Sequence, residues 1–155
     1  MSIEDDIAFL GQVPLLQRLG TGALRILAIG AESYSLQPGE VLFAAGDAAD
    51  CAYVVQRGSF ALLPPRQDAA EIIAEPGTLL GETALLAETS RPVTATARED
   101  STVLRISRTM FLRMLESFPE AAQRLRELFA SRAEQWAREM ENVRAVLARG
   151  DGPQS

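Results

Sequence analysis

Five glycines, Gly39, Gly46, Gly58, Gly77 and Gly81, divide the middle of this 155-residue chain into short segments rich in Val, Ile, Leu, Tyr and Thr. The clearest are Glu40–Ala44, Ala52–Gln56, Ser59–Leu63, Glu71–Ala74, Val93–Ala97 and Thr102–Ile106. Strands of that length, set off by turn signals roughly every 8–12 residues, pack as an antiparallel sandwich, roll or barrel. Pro38-Gly39 and Pro76-Gly77 suit turns in which proline presets φ and glycine accepts a positive φ. Pro64-Pro65 followed by Arg66-Gln67-Asp68 reads as an exposed hairpin loop. One interval breaks the pattern: Glu82–Glu88 is a helix-forming stretch between two strands.

Both flanks are helical. Between Ile7 and Ile29 the residues Leu15, Leu16, Leu19, Leu24, Leu27 and Ala28 recur at helical spacing, with Thr21 as the expected N-cap of the second helix. The helical period returns at Arg108 and continues to Arg149. Ser107 is placed to cap a helix ending near Ser117, and Pro119 suits the first turn of the next. That last helix carries the stripe Leu125, Phe129, Ala133, Trp136, Met140, Val143 and Leu147. Such a seam packs either on the β segment or, over residues 120–149, on a second copy of itself as a homodimer.

Composition removes most enzyme classes. The chain has no His and no Lys, and Cys51 is its single cysteine. There is therefore no imidazole base or His-ligated metal, no Schiff-base or P-loop lysine, and no internal disulfide. No catalytic residue and no metal ligand is assigned, so the expectation is a non-enzyme without a cofactor. The net charge of −6 lacks the basic footprint of direct DNA binding and disfavours anionic membrane surfaces. The N-terminus is acidic where a signal peptide is basic, and Arg25 interrupts the best apolar run, Ala23–Ala31. These features predict a cytoplasmic protein without membrane insertion.

The stretch Gly77-Thr78-Leu79-Leu80-Gly81-Glu82-Thr83-Ala84-Leu85-Leu86, followed by Arg91, carries the chemistry. A strand end leads through glycine into a short helix, an acid stands at the helix start, and one arginine returns nine residues later. Arginine and helix-start N–H groups together suit an anion, while a carboxylate beside them accepts from a sugar hydroxyl. The implied ligand is a phosphorylated sugar or nucleotide. Two plainer roles stand beside this one: Glu82 as a helix cap, and Arg91 as a surface partner of Glu88.

The segment Gly81-Glu82-Thr83-Ala84-Leu85-Leu86 with Arg91 resembles the phosphate-binding cassette of the cyclic nucleotide-binding domain family. Gly39-Glu40, Phe43-Ala44-Ala45-Gly46-Asp47 and Tyr53-Val54-Val55-Gln56-Arg57-Gly58 resemble the same family, and the likeness covers about residues 10–140. It implies an α+β, mainly β fold: an antiparallel β-roll or jelly-roll flanked by N-terminal helices and a long C-terminal helix. A single domain over 1–155 is then expected, with helices in 1–30, the roll in 31–107, a cassette helix over 82–88, helices in 108–149 and a tail at 150–155.

By position, the resemblance makes Gly81 and Ala84 donors of backbone N–H groups to a cyclic nucleotide, cAMP or cGMP. It pairs Glu82 with the ribose 2′-hydroxyl and Arg91 with the cyclic phosphate. Leu79 and Leu80 would pack near sugar or base, and Phe129 or Trp136 on the last helix would lid the base. Three positions depart from the family pattern. Pro92 stands where the family supplies a backbone N–H to the phosphate, Thr83 replaces an apolar residue, and Val93 replaces a small one. Proline has no N–H to give. The expectation is a regulatory module that senses its ligand in the cassette and signals through its C-terminal helices. The family's transcription regulators carry a DNA-binding unit after the long helix; this sequence ends at Ser155, so a protein partner rather than DNA is expected. The alternative is the same fold with a degenerate site that serves protein interaction, or that takes another phosphorylated ligand.

Overall fold

The chain begins with helix α1 (Ile3–Leu10), a 3₁₀ turn (Leu16–Leu19) and helix α2 (Thr21–Gly30). Among the described residues ten strands follow: β1 (Glu32–Leu36), β2 (Val41–Phe43), β3 (Ala48–Ala49), β4 (Cys51–Arg57), β5 (Phe60–Leu63), β6 (Ile72–Ala74), β7 (Leu79–Leu80), β8 (Thr89–Ser90), β9 (Thr94–Ala97) and β10 (Ser101–Ser107). A second 3₁₀ turn, Glu82–Leu85, lies between β7 and β8, and helices α3 (Arg108–Ser117) and α4 (Pro119–Gln154) complete the chain. This computed structural model describes residues 2–66, 68 and 70–154. Within α4 the side chains of 133, 135, 136, 139, 140, 143, 144 and 146–154 lie outside the description.

All strand pairs are antiparallel. One sheet runs β1-β10-β4-β7, a second β2-β9-β5-β6, and β3 and β8 form a separate ribbon. The inner faces of the two larger sheets enclose Phe43, Val55, Phe60, Leu80, Ala95 and Val103. The outer face of β4 and β10 is covered as well: Ala52, Val54, Leu104 and Ile106 pack with Leu10, Leu16 and Leu27 of the N-terminal region and Phe111 and Met114 of α3. Burial on both faces is why Cys-Ala-Tyr-Val-Val reads as a continuous apolar run, whereas strands with one wet face alternate. The turn after β4 depends on Gly58, whose φ is +80° and whose missing Cβ leaves room for Ser101. The Ser101 hydroxyl accepts from the Ser59 N–H there, at 3.1 Å.

The fold class read from the sequence stands: a mainly β roll with helices before and after it. Local boundaries differ. Thr21 is the first residue of α2 and Gly20, at φ +90°, is its N-cap, so the expected threonine cap is not made. The cassette helix expected over 82–88 is a 3₁₀ turn of four residues, Glu82–Leu85, and strand β8 begins at Thr89. Leu86 adopts φ −114°, which stops the turn from propagating. The last helix runs through the expected tail as far as Gln154. Strands β3, β7 and β8 are two residues each, too short to leave a periodic signal. In the loop read over 64–68, residue 67 lies outside the described residues, and the strands on either side, β5 and β6, pair in register Leu62↔Ile72. Ser107 caps α3 as expected, its hydroxyl accepting from Met110 N at 3.1 Å.

Phe60 is fully buried between the two larger sheets, and Leu63 at the end of the same strand is 46% exposed. Phe60→Ala is expected to cost about 3–5 kcal/mol, and Leu63→Ala to stay within about 0.5 kcal/mol of zero. Urea unfolding followed by circular dichroism tests both, through a large midpoint shift for the first and none for the second.

Candidate functional site

Strand β7 delivers the chain to Gly81, which adopts φ +79° and ψ +40°. No other residue type enters this left-handed conformation as cheaply. The turn also brings the Arg91 guanidinium so near that a Cβ at Gly81 would collide with its Nη1. Glycine is thus needed twice, for the turn and for the approach. Beyond it lies a cavity of about 380 Å³ lined by Phe43, Leu62, Thr78, Leu79, Leu80, Gly81, Glu82, Thr83, Arg91, Pro92 and Val93. The structure therefore brings eight of the expected ligand residues together on one cavity.

Ala84 is not among them. It is fully buried, and its N–H donates to Gly81 O at 3.0 Å, closing the 3₁₀ turn. The N–H expected to face a ligand is already satisfied inside the chain.

Arg91 dominates the site. It is only 5% exposed, so the pairing with Glu88 at the surface is not made. Its own N–H donates to Asp47 O and its carbonyl accepts from Gly46 N, each at 2.8 Å. These bonds align it beside the β3–β8 ribbon. Nη2 donates to Cys51 O at 2.8 Å and contacts Cys51 Sγ at 3.3 Å. Nη1 is buried without a hydrogen-bond partner. The guanidinium carbon lies 4.4 Å from the Phe43 ring centroid and 5.6 Å from that of Tyr53, and the two rings stack 6.0 Å apart. Aromatic faces attract a cation without neutralising it. Among the described residues no carboxylate pairs with Arg91. A buried charge left uncompensated costs several kcal/mol, roughly the penalty that an anionic ligand would relieve.

Glu82 stands at the rim. Its carboxylate accepts from Arg132 Nη1 of α4 at 3.4 Å, and both side chains are roughly half exposed. Phe129 packs against the helical core with its ring 5.8 Å from the Arg132 guanidinium carbon. It does not line the cavity, so its expected lid position is not adopted. The Trp136 side chain lies outside the described residues. Sequence reading missed Phe43, Tyr53 and Cys51 as the cradle of Arg91. Inward alternation on β2 and β4 could have flagged Phe43 and Tyr53; nothing local marks a thiol, or an arginine 50 residues beyond Glu82, as part of a site.

The Tyr53 phenol is pushed up to about 12, first by burial and then by its hydrogen bond with the Cys51 thiol. It is therefore neutral around pH 7 and supplies Arg91 with a ring face and no counter-charge. Tyr34, the other tyrosine, is also raised, chiefly by its 2.7 Å hydrogen bond to Glu32. Since folding raises the Tyr53 pKa, the stability it contributes is complete below about pH 10 and is lost as pH climbs toward 12. An absorbance titration should show tyrosinate forming later in the folded protein than in urea, and Tyr53→Phe should remove the later step.

The cyclic nucleotide-binding domain family matches residues 34–118, more than half of the chain. The chain is 30% identical over 107 residues to the cAMP-dependent protein kinase regulatory subunit of Yarrowia lipolytica, covering 69% of this chain and 28% of that protein. It thus spans less than a third of that relative's length. A cyclic nucleotide-binding-like protein from Brucella abortus shares 42% identity at a TM-score of 0.65, over 72% of this chain and 98% of its own. The N-terminal domain of a transcriptional regulator from Streptomyces coelicolor A3(2) superposes at a TM-score of 0.78 with 27% identity, over 85% and 94%. With the roll, the glycine-led turn and a buried arginine at one cavity, the chain belongs to the cyclic nucleotide-binding domain family.

Proposed function

We propose that this domain senses a cyclic nucleotide, cAMP or cGMP, and relays its presence through α3 and α4 to a protein partner. The carrying observation is the Arg91 guanidinium: buried beneath the cavity, held by Cys51, without a counter-ion among the described residues, and with Nη1 unsatisfied. A cyclic phosphate supplies the missing negative charge and the missing acceptor together. Glu82, on the same rim, accepts from the ribose 2′-hydroxyl, and Leu62, Leu79, Leu80 and Val93 give the remainder of the ligand apolar walls. The role is regulatory rather than enzymatic. Among the described residues no group of acids and thiols could hold a metal ion, and no helix is long and apolar enough to cross a membrane. The net charge of −6 favours a protein over DNA as the receiver of the signal. Residues 120–149 are the proposed homodimer contact, and the cytoplasm the proposed compartment.

Pro92 favours a second reading. It lines the cavity and has no N–H, so the site lacks one donor for an anion. Under that reading the fold serves protein interaction, or takes another phosphorylated ligand.

Calorimetric titration with cAMP and cGMP separates the two. A sensor binds one of them at micromolar strength, and Arg91→Ala weakens binding by about a hundredfold or more. Pro92→Ala restores a donor to a charged acceptor and is expected to tighten binding roughly tenfold to a hundredfold. Absence of heat and of thermal stabilisation up to millimolar nucleotide, in both the parent protein and Pro92→Ala, leaves the second reading.

A further inference from the structure

Arg108 is the first residue of α3. A cation at a helix N-terminus opposes the helix dipole, and no acid in the first turn of α3 offsets it. Its side chain leaves the helix instead. Nε donates to Ala84 O at 2.8 Å and Nη2 to Ala49 O at 2.6 Å, while its backbone N–H donates to Asp50 O at 2.9 Å. No carboxylate among the described residues pairs with it.

These acceptors belong to the two segments that frame Arg91. Ala84 lies in the cassette turn, where a terminal carbonyl needs a donor that the turn does not supply. Ala49 and Asp50 lead directly into Cys51, whose carbonyl and thiol hold the Arg91 guanidinium. Ala49 also pairs with Thr89 of β8, two residues before Arg91. One planar guanidinium at the root of α3 therefore bolts the cassette turn to the segment that carries the anion-binding arginine. Such a fork holds two carbonyls in set directions, which a point charge on a flexible stem does not.

We infer that Arg108 is the positioning residue that couples the ligand cavity to α3 and α4. When ligand charge draws on Arg91 and the cassette turn, any shift between the segments of Ala49 and Ala84 reaches α3 through this side chain. The inference rests on the nucleotide-sensing reading of the same site and adds the residue through which that site acts. Arg108 contacts neither Arg91 nor Glu82 directly, so affinity and helix response are separable.

The test is hydrogen exchange of the amides in residues 108–130, with and without saturating cAMP or cGMP, in the full chain and in Arg108→Gln and Arg108→Lys. Affinity is measured in parallel by calorimetry. In the parent protein, nucleotide is expected to change exchange in this segment by about threefold or more. Arg108→Gln should bind within about tenfold of the parent while losing that response, and Arg108→Lys, which can reach one carbonyl, should respond to an intermediate extent. If the glutamine variant does not fold, the lysine variant decides: an intermediate response supports the coupling role. A full response in either variant overturns it, as does a parent protein that binds nucleotide without a response in 108–130. If the parent protein binds neither nucleotide, the sensing reading itself falls and the inference with it.

Discussion

An arginine buried without a carboxylate partner among the described residues organises this molecule. Arg91 makes bonds at both ends: its backbone is paired with Asp47 and Gly46, and one guanidinium nitrogen is held by Cys51. Those contacts orient the cation but leave its charge unmet. Phe43 and Tyr53 cover it with ring faces, and among the described residues no carboxylate supplies the opposite charge. A chain selected for stability alone would place an apolar side chain there, because uncompensated buried charge is destabilising. Retaining the cation at a cavity is the kind of local cost that accompanies binding sites.

Carrying such a cost needs a platform that does not yield. Strands β4 and β10 supply it, since both of their faces are covered, by the second sheet on one side and by α2, α3 and the N-terminal turn on the other. The ligand segment hangs from the edge of this platform. Strand β7 contributes only two residues to the sheet, and the following turn closes on bonds from Ala84 N to Gly81 O and from Leu86 N and Ala87 N to Thr83 O. Ala84 and Leu85 anchor it in the core, and side chains tie it to the helices, through Arg108 at the root of α3 and through the half-exposed pair of Glu82 with Arg132 on α4. Exposed pairs contribute little, typically about 0–1 kcal/mol. The arrangement joins a buried arginine mount to a turn whose inner residues, Ala84 and Leu85, are buried and whose outer residue, Glu82, is half exposed.

Pro92 limits what the cavity wall offers without disturbing its apolar lining. It stands next to Arg91, keeps the apolar lining with Leu62 and Val93, and has no N–H to donate. Arg91, Glu82, Thr78 and Thr83 supply the polar side chains of the cavity lining.

Much of this was legible in the chain itself. Glycine spacing, paired with short apolar runs, announces the roll, because turns that need a positive φ are local events. Gly81-Glu82 and Arg91 announce the cavity, because a strand, a tight turn and a strand return the chain to one place. Ala84 donates its N–H to Gly81 O in a 3₁₀ bond whose geometry emerges only when the turn packs against β4. Cys51, Arg108 and Arg132 carry no local signal at all. They meet the site across 24 to 59 residues of intervening sequence, through contacts that exist only once both sheets and the helices have closed. Local residue preferences mark where the chain turns and where its longer strands lie, because φ preferences and apolar runs act over a few residues. That Arg91 is buried, without a carboxylate partner among the described residues, and cradled by a thiol and two rings follows from the tertiary fold, because burial and counter-charge depend on which distant segments fill the space around it.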